Sequence, residues 1–180
     1  MVNPGHFGYQ ILTSFLEKFF KFMSLKEYWE KRIFEKTPEP KGKVIKTGKK
    51  RFVVQEHWAT HHHFDFRLEM DGVLKSWAVP KGIPEEPGIK RLAVQVEDHP
   101  VDYINFEGEI PEGLYGAGKV KIWDKGTYKD LKIKTSPTEK LTELEFVLKG
   151  RKLKGKYVMI KTKWRGRKNQ WLIMKLKTKS

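Results

Sequence analysis

Residues 55–72 read QEHWATHHHFDFRLEMDG. From His61 onward polar and apolar side chains alternate. His61, His63, Asp65, Arg67 and Glu69 fall on one set of positions, and Phe64, Phe66, Leu68 and Met70 on the other. Period-two alternation is the signature of a β-strand, whose successive side chains point to opposite faces. The polar face of such a strand ordinarily meets water and carries Lys, Thr or Ser. This one carries imidazoles, carboxylates and a guanidinium, the groups that hold metal ions and phosphates. The Asp71-Gly72 dipeptide that ends it favours a type I′ turn, so the following VLKSWAVP is predicted to fold back as the second strand of a hairpin.

Outward from this hairpin, Gly and Pro punctuate further short strand-like runs: RFVVQEHW before it, then RLAVQVED, KVKIWDKGTY, KLTELEFVLKG, GKYVMIKTKW and NQWLIMKLK. The fold class is therefore all-β, a compact antiparallel β-barrel of about eight strands or a two-sheet sandwich. A short N-terminal helix over Lys26–Phe34 precedes it and is stopped by TPEP at 37–40. Residues 1–22 differ from the rest. Ile11, Leu12, Phe15, Phe19 and Met23 make a helical apolar stripe, with neither the basic n-region nor the small-residue cleavage pattern of a secretory signal. They read as a dispensable extension, with one domain over 23–180.

A chain of 180 residues, 38% hydrophobic and 13% aromatic, has enough apolar material for a single core. The absence of cysteine excludes disulfides, thiolate metal sites and a cysteine nucleophile. No apolar run approaches a membrane span. Lys and Arg number 37 against 22 Asp and Glu, a net charge of +15, and no acidic residue follows Glu145. A field this positive points to a polyanion, of which nucleic acid is the commonest.

Two groups of residues carry chemistry. His63 and Asp65, two apart on a strand, share a face, and His57 on the preceding strand faces them across the ladder. Two imidazoles and a carboxylate leave coordination positions open and suit Mn, Fe or Zn. His61 is a further ligand candidate nearer the turn, and His62 a turn or packing residue. The second group is Glu97, Asp98, His99 and Tyr103 with Arg91, where a rigid Arg fork and a protonated His form an anion clamp. Gly113–Lys119 satisfies G-x-x-x-x-G-K, but Val120 follows where magnesium needs Ser or Thr, and no βαβ unit surrounds it. That segment reads as turns between strands. There is no G-x-S-x-G.

Taken together, QEHWATHHHFDFRLEMDGVLKSWAVPKGIP, RLAVQVEDHPVDYINFEGEIPEGLYGAGKVKIWDKGTY and NQWLIMKLK resemble the 3′-phosphoesterase module of bacterial DNA ligase D and its stand-alone archaeal and bacterial relatives. YWEKRIFEKTPEP resembles the segment that leads into that module. The resemblance runs from about Leu25 to Lys177. It implies a β-barrel enzyme that removes a 3′-terminal ribonucleoside from a DNA primer–template and then hydrolyses the 3′-phosphate to a ligatable hydroxyl. Manganese, or another divalent ion such as zinc or cobalt, supports the reaction. By matching position, His57, His63 and Asp65 are the metal ligands. Arg67 belongs to the same essential group, Arg91, His99 and Tyr103 surround the phosphate, and Arg32 and Glu39 assist mainly the phosphomonoesterase step. Gln55, Lys81 and Glu97 match auxiliary positions. The resemblance further implies a cytoplasmic prokaryotic monomer, nucleoid-associated when acting, with a separate ligase or polymerase of end joining as partner and no membrane. It departs at Ile33, because the family's leading segment often reads Arg-Asp-Phe. The missing carboxylate leads to the expectation that 3′-phosphate ends accumulate.

Two other readings start from the same residues. His63-x-Asp65 with a distal His99 mimics the facial triad of a non-haem iron oxygenase. A non-catalytic basic β-barrel would bind nucleic acid through its basic strands and six tryptophans, though Trp77 and Trp171 sit among apolar residues and read as core.

Overall fold

The structure, a computed structural model, describes residues 24–136, 141–163 and 166–177. The strands are β1 (Arg51–Trp58), β2 (His63–Met70), β3 (Val73–Val79), β4 (Lys90–Gln95), β5 (His99–Pro100), β6 (Gly108–Ile110), β7 (Gly118–Lys134), β8 (Glu143–Gly150), β9 (Lys154–Lys161) and β10 (Gln170–Lys175). Hydrogen bonding runs β1-β2-β3-β4-β10-β9-β8-β7, and β7 returns to β1, closing an antiparallel barrel of eight strands. Closure leaves those eight strands no free edge. The eight are the eight runs legible in the sequence. β5, on β3, and β6, on β7, are short additions.

The β2–β3 hairpin forms at the expected place. Asp71 and Gly72 have φ of 54° and 84°, the two left-handed residues of a type I′ turn, and Met70 opposes Val73. β7, at 17 residues, is longer than its sequence run because it serves two neighbours. Its first part pairs with β1 and its second with β8, and Gly126 pairs with both Phe52 and Gly150. A Cβ at Gly126 would lie 2.1 Å from the Lys149 carbonyl oxygen, so only glycine permits this crossing.

The barrel interior holds one apolar cluster, with Phe52 and Val54 of β1, Phe66, Leu68 and Met70 of β2, and Trp77 and Trp171 at its heart. The opposite face of β1–β3 does not meet water. A second cluster covers it, built from Leu25 and Tyr28 of α1 (residues 24–30), Tyr103 and Ile104 of the 3-10 helix Val101–Asn105, and Ile110 of β6. β2 is therefore buried on both faces from Asp65 to Met70.

The helix stops short of its expected end at Phe34. After Arg32 the chain turns, with Lys36 N–H donating to the Ile33 carbonyl at 2.9 Å. Thr37 N–H donates to the same carbonyl at 3.2 Å, and Pro38 keeps the helix from resuming at Thr37. In a continuous helix residues 32 and 39 would stand about 10 Å apart. The turn instead brings Arg32 Nε within 2.9 Å of Glu39. The apolar stripe of residues 1–22 lies outside the described residues. Among the described residues no helix is long and apolar enough to cross a membrane.

Candidate metal centre and active site

His57 of β1 stands directly opposite His63 of β2, and Gln55 opposite Asp65. Directly opposed residues share a face, so the ladder itself gathers the four side chains. Each imidazole is then oriented by a backbone carbonyl. His57 Nε2 lies 2.9 Å from the Gly116 carbonyl oxygen, and His63 Nδ1 lies 2.8 Å from that of His61. A carbonyl only accepts, so those nitrogens carry the protons and His57 Nδ1 and His63 Nε2 are bare. The bare nitrogens face the two Asp65 oxygens at 3.4 and 3.6 Å. Burial opposes charge on Asp65, but the Arg67 guanidinium holds the carboxyl well below the usual carboxylate range. Acceptor atoms of all three residues thus converge within 4.8 Å, with no proton donor among them. That is the donor set of a divalent-cation site, and the residues fit one.

Beside it two buried arginines clasp His99. Arg67 donates through Nε to Gln55 Oε1 at 2.7 Å, its Nη1 lies 3.0 Å from His99 Nδ1, and its Nη2 lies 3.2 Å from Asp65. Arg32 donates to Glu39, Glu97 and the Tyr28 carbonyl, and its Nη2 lies 3.1 Å from His99 Nε2. His99 Nδ1 also lies 2.9 Å from the Glu97 carbonyl. The tautomer protonated on Nδ1 satisfies that carbonyl and leaves Nε2 to accept from Arg32. Burial, then the charges of Arg67 and Arg32, push the His99 ring well below its ordinary value. That environment favours the neutral ring over the protonated donor expected from the sequence. Through its bare Nε2, His99 positions Arg32. Tyr103 donates to Glu39 at 3.0 Å, and Lys31 reaches Glu97 at 3.0 Å. Gln55 Nε2 anchors this layer from below, donating to the Phe106 carbonyl at 2.8 Å. These groups open into one cavity of about 390 Å³.

A family model described as DNA ligase D 3′-phosphoesterase domain matches residues 55–161. The chain belongs to this family. The multifunctional non-homologous end joining protein LigD of Pseudomonas aeruginosa is 52% identical over 158 residues, covering 85% of this chain and 18% of that protein. The multifunctional non-homologous end joining DNA repair protein LigD of Mycobacterium tuberculosis is 45% identical over 155 residues, covering 85% and 20%. The chain therefore spans about a fifth of the length of the curated relatives it matches.

Within this member of the 3′-phosphoesterase family, most of the residues singled out in sequence come together. His57, His63, Asp65, Arg67, Glu97, His99, Tyr103, Arg32 and Glu39 all line the cavity, and Gln55 lies beneath Arg67. Arg91 and Lys81 do not join them. They line a second cavity of about 370 Å³ with Phe64 and Trp123, because Arg91 shares the inward face of β4 with Ala93. His61 lines the first cavity but is exposed and outside the ligand group, while His62 bonds Glu56 at 2.9 Å. The facial triad of the oxygenase reading does not form. Its third position is taken by His57, and both nitrogens of His99 are engaged by arginines. Gly113–Lys119 is a turn segment leading into β7, as read, yet it supplies the Gly116 carbonyl that orients His57. Sequence reasoning missed Tyr28, Lys31 and Tyr115. Tyr28 packs its ring 3.8 Å from the Arg32 guanidinium carbon, and no sequence pattern marks it.

Ile33 is 50% exposed and does not line the cavity, while Arg32 is already fixed by Glu39 and Glu97. A carboxylate at 33 would sit in solvent, where its field is screened. Ile33→Asp is therefore expected to change either hydrolytic step by less than about twofold. The check is a time course of both steps, and selective acceleration of phosphate removal would return a role to position 33. Gln55→Leu is expected to matter more. It frees Arg67 Nε and leaves the buried Phe106 carbonyl without its donor, so turnover should fall by about tenfold or more and stability by about 1–3 kcal/mol. Turnover at saturating metal, together with a urea melt, measures both.

Proposed function

We propose that this protein is a divalent-metal-dependent hydrolase of phosphate esters at DNA 3′ ends. It removes a 3′-terminal ribonucleoside and then the 3′-phosphate so exposed, leaving a hydroxyl. The observation that carries the reading is one cavity in which the converging acceptors of His57, His63 and Asp65 stand beside two buried guanidinium groups. Acceptors alone suit a cation, guanidinium groups alone suit an anion, and the two side by side suit a metal-bound phosphate.

His57, His63 and Asp65 would hold manganese, or zinc or cobalt at the same ligands. A divalent ion there withdraws charge from a phosphoryl oxygen and acidifies water. The remaining work falls to the protein. Arg67 retains N–H groups beyond those given to Gln55 and Asp65, and these are aimed by a rigid scaffold rather than by solvent. Arg32, locked by Glu39 and Glu97, adds its remaining N–H and its positive charge for the extra charge of a terminal phosphate. His99 and Gln55 keep both forks in place, and Tyr103 holds Glu39. A 3′-hydroxyl is what a DNA ligase or polymerase needs. Those activities, whether in a longer chain or a separate protein, are the proposed partners in end joining.

The test is an end-labelled primer–template bearing one 3′-ribonucleotide, incubated with protein and manganese, with and without chelator. Conversion to a 3′-phosphate and then a 3′-hydroxyl strand, stopped by chelator, supports the proposal. Chelator-resistant binding without turnover refutes it and favours a non-catalytic nucleic-acid binder.

DNA binding is expected to depend strongly on salt. The exposed Arg167 and Lys168 belong to the acid-free stretch after Glu145 and are suited to backbone phosphates. Affinity for a primer–template should fall at least about tenfold between roughly 50 and 200 mM salt. A flat salt dependence in a titration would show that this basic segment faces away from the substrate.

A further inference from the structure

Even-numbered positions of β1 and β2 point into the barrel, from Phe52 and Val54 and from Phe66 to Met70. At the end of the barrel this face runs out of core, yet it continues as aromatic rings. Trp58 lies 5.7 Å from His62, His62 lies 5.4 Å from Phe64, and Phe64 lies 5.6 Å from Trp123, centroid to centroid. Phe64 and Trp123 pack against the core cluster and are accounted for by it. Trp58 and His62 are not. Trp58 is 42% exposed, and the His62 side chain is 47% exposed. His62 is held in place by Glu56, which accepts from its Nε2 at 2.9 Å. An exposed indole backed by a fixed imidazole costs the fold solvent contact without closing the core.

Its surroundings indicate what covers it. Trp58 is followed directly by Ala59, Thr60 and His61, which form the rim of the cavity that holds the metal ligands. Across the ladder Trp58 opposes Lys119, and Glu56 opposes Lys121, both lysines exposed. At the far end of the row Lys152 sits 4.4 Å from the Trp123 ring centre, and Arg91 and Lys81 line the adjoining cavity, with Glu85 and Glu86 also on its wall. The Arg91 Nε is buried without a hydrogen-bond partner. A flat aromatic face flanked by cations matches a nucleobase and its phosphates, since every base has a π-face and every linkage a negative charge.

We propose that Trp58, supported by His62, is the stacking surface for a nucleobase of the strand whose 3′ end lies in the cavity. The proposal rests on the reading of the cavity as a site for DNA 3′ ends and adds how the strand is presented to it. The ring face takes a base near the terminus, and Lys119 and Lys121 face the backbone beside it. Recognition of this kind tolerates any base sequence and places the terminal ester over the rim formed by 59–61.

The experiment has two arms. In the first, short single-stranded oligodeoxynucleotides carry the fluorescent base 2-aminopurine at successive positions from the 3′ end and are titrated with protein. Stacking on Trp58 quenches the probe at one position. Trp58→Ala is expected to lose most of that quenching and to bind roughly tenfold more weakly, while Trp58→Phe keeps most of both. Unchanged quenching and affinity in Trp58→Ala overturns the proposal. In the second arm, turnover of a 3′-phosphate strand is followed with manganese. Trp58→Ala should raise KM about tenfold with kcat unchanged, and should match the parent on a strand whose terminal sugars are abasic. An equal rise on the abasic strand also overturns the proposal, because Trp58 then only props the rim. If the parent turns over no 3′ ester, the functional reading fails, and the fluorescence arm still decides the stacking surface.

Discussion

Replacing His63 with alanine is expected to lower phosphoesterase turnover by at least about 10²–10³-fold, the scale on which losing one electrostatic stabiliser of a transition state is felt. The fold should survive. His63 begins β2 and is partly exposed, while the apolar cluster that fills the barrel lies on the other face of the same strands. A change at such a position costs within about 1 kcal/mol. A second readout separates loss of metal from loss of shape. In the parent, added manganese should raise the melting temperature with the logarithm of its concentration above Kd, and in His63→Ala this rise should disappear. A variant that melts like the parent without metal and retains full turnover would remove His63 from the metal centre.

Arg32→Ala is expected to show the largest effect on stability. Arg32 bridges Glu39, Glu97 and His99, and its side chain is 4% exposed, with those of Glu39 and Glu97 at 1% and 2%. Removing the cation strands two buried carboxylates. Lys31 still reaches Glu97, and Thr37 and Tyr103 still donate to Glu39, so the penalty is partial. Losing one partner of a buried pair costs about 3–5 kcal/mol. For a domain of this size that corresponds to roughly 10 °C in melting temperature. Activity should divide unevenly between the two steps. A 3′-phosphodiester carries one charge, whereas a terminal phosphate carries close to two and needs more donors. Phosphate removal should therefore fall further than ribonucleoside trimming, and 3′-phosphate strands should accumulate. Arg32→Lys should recover part of the stability but little of the second step, since one ammonium cannot span three partners held by a planar fork. A time course that resolves starting strand, 3′-phosphate and 3′-hydroxyl products decides this. Equal loss in both steps would make Arg32 a structural strut.

The features legible in the sequence are those set within a few residues of each other. Alternation from His63 to Met70 determined a strand, Asp71-Gly72 determined a tight hairpin, and His63-x-Asp65 placed two candidate ligands on one face. Backbone geometry alone enforces all three, through the period of the pleat and the sterics of positive φ. Eight such runs were enough for an antiparallel barrel or a two-sheet sandwich. What tertiary structure decided was register and cover. His57 meets His63 because the β1–β2 ladder pairs them, and a bulge between Val54 and Gln55 in the β1–β7 ladder sets which residues of β7 flank the site. A one-residue slip would turn every side chain to the other face, and no local signal sets that choice. Cover was equally hidden. Nothing in the alternation of β2 says what covers its polar face, yet α1 and the 3-10 helix bury it, and Arg32 reaches Glu97 across 65 residues of chain. The same closure sends Arg91 and Lys81 to a different cavity from His99, although Arg91 and His99 are close in sequence. A strand's period says which residues share a face; only the closed barrel and the segments packed over it determine what that face meets.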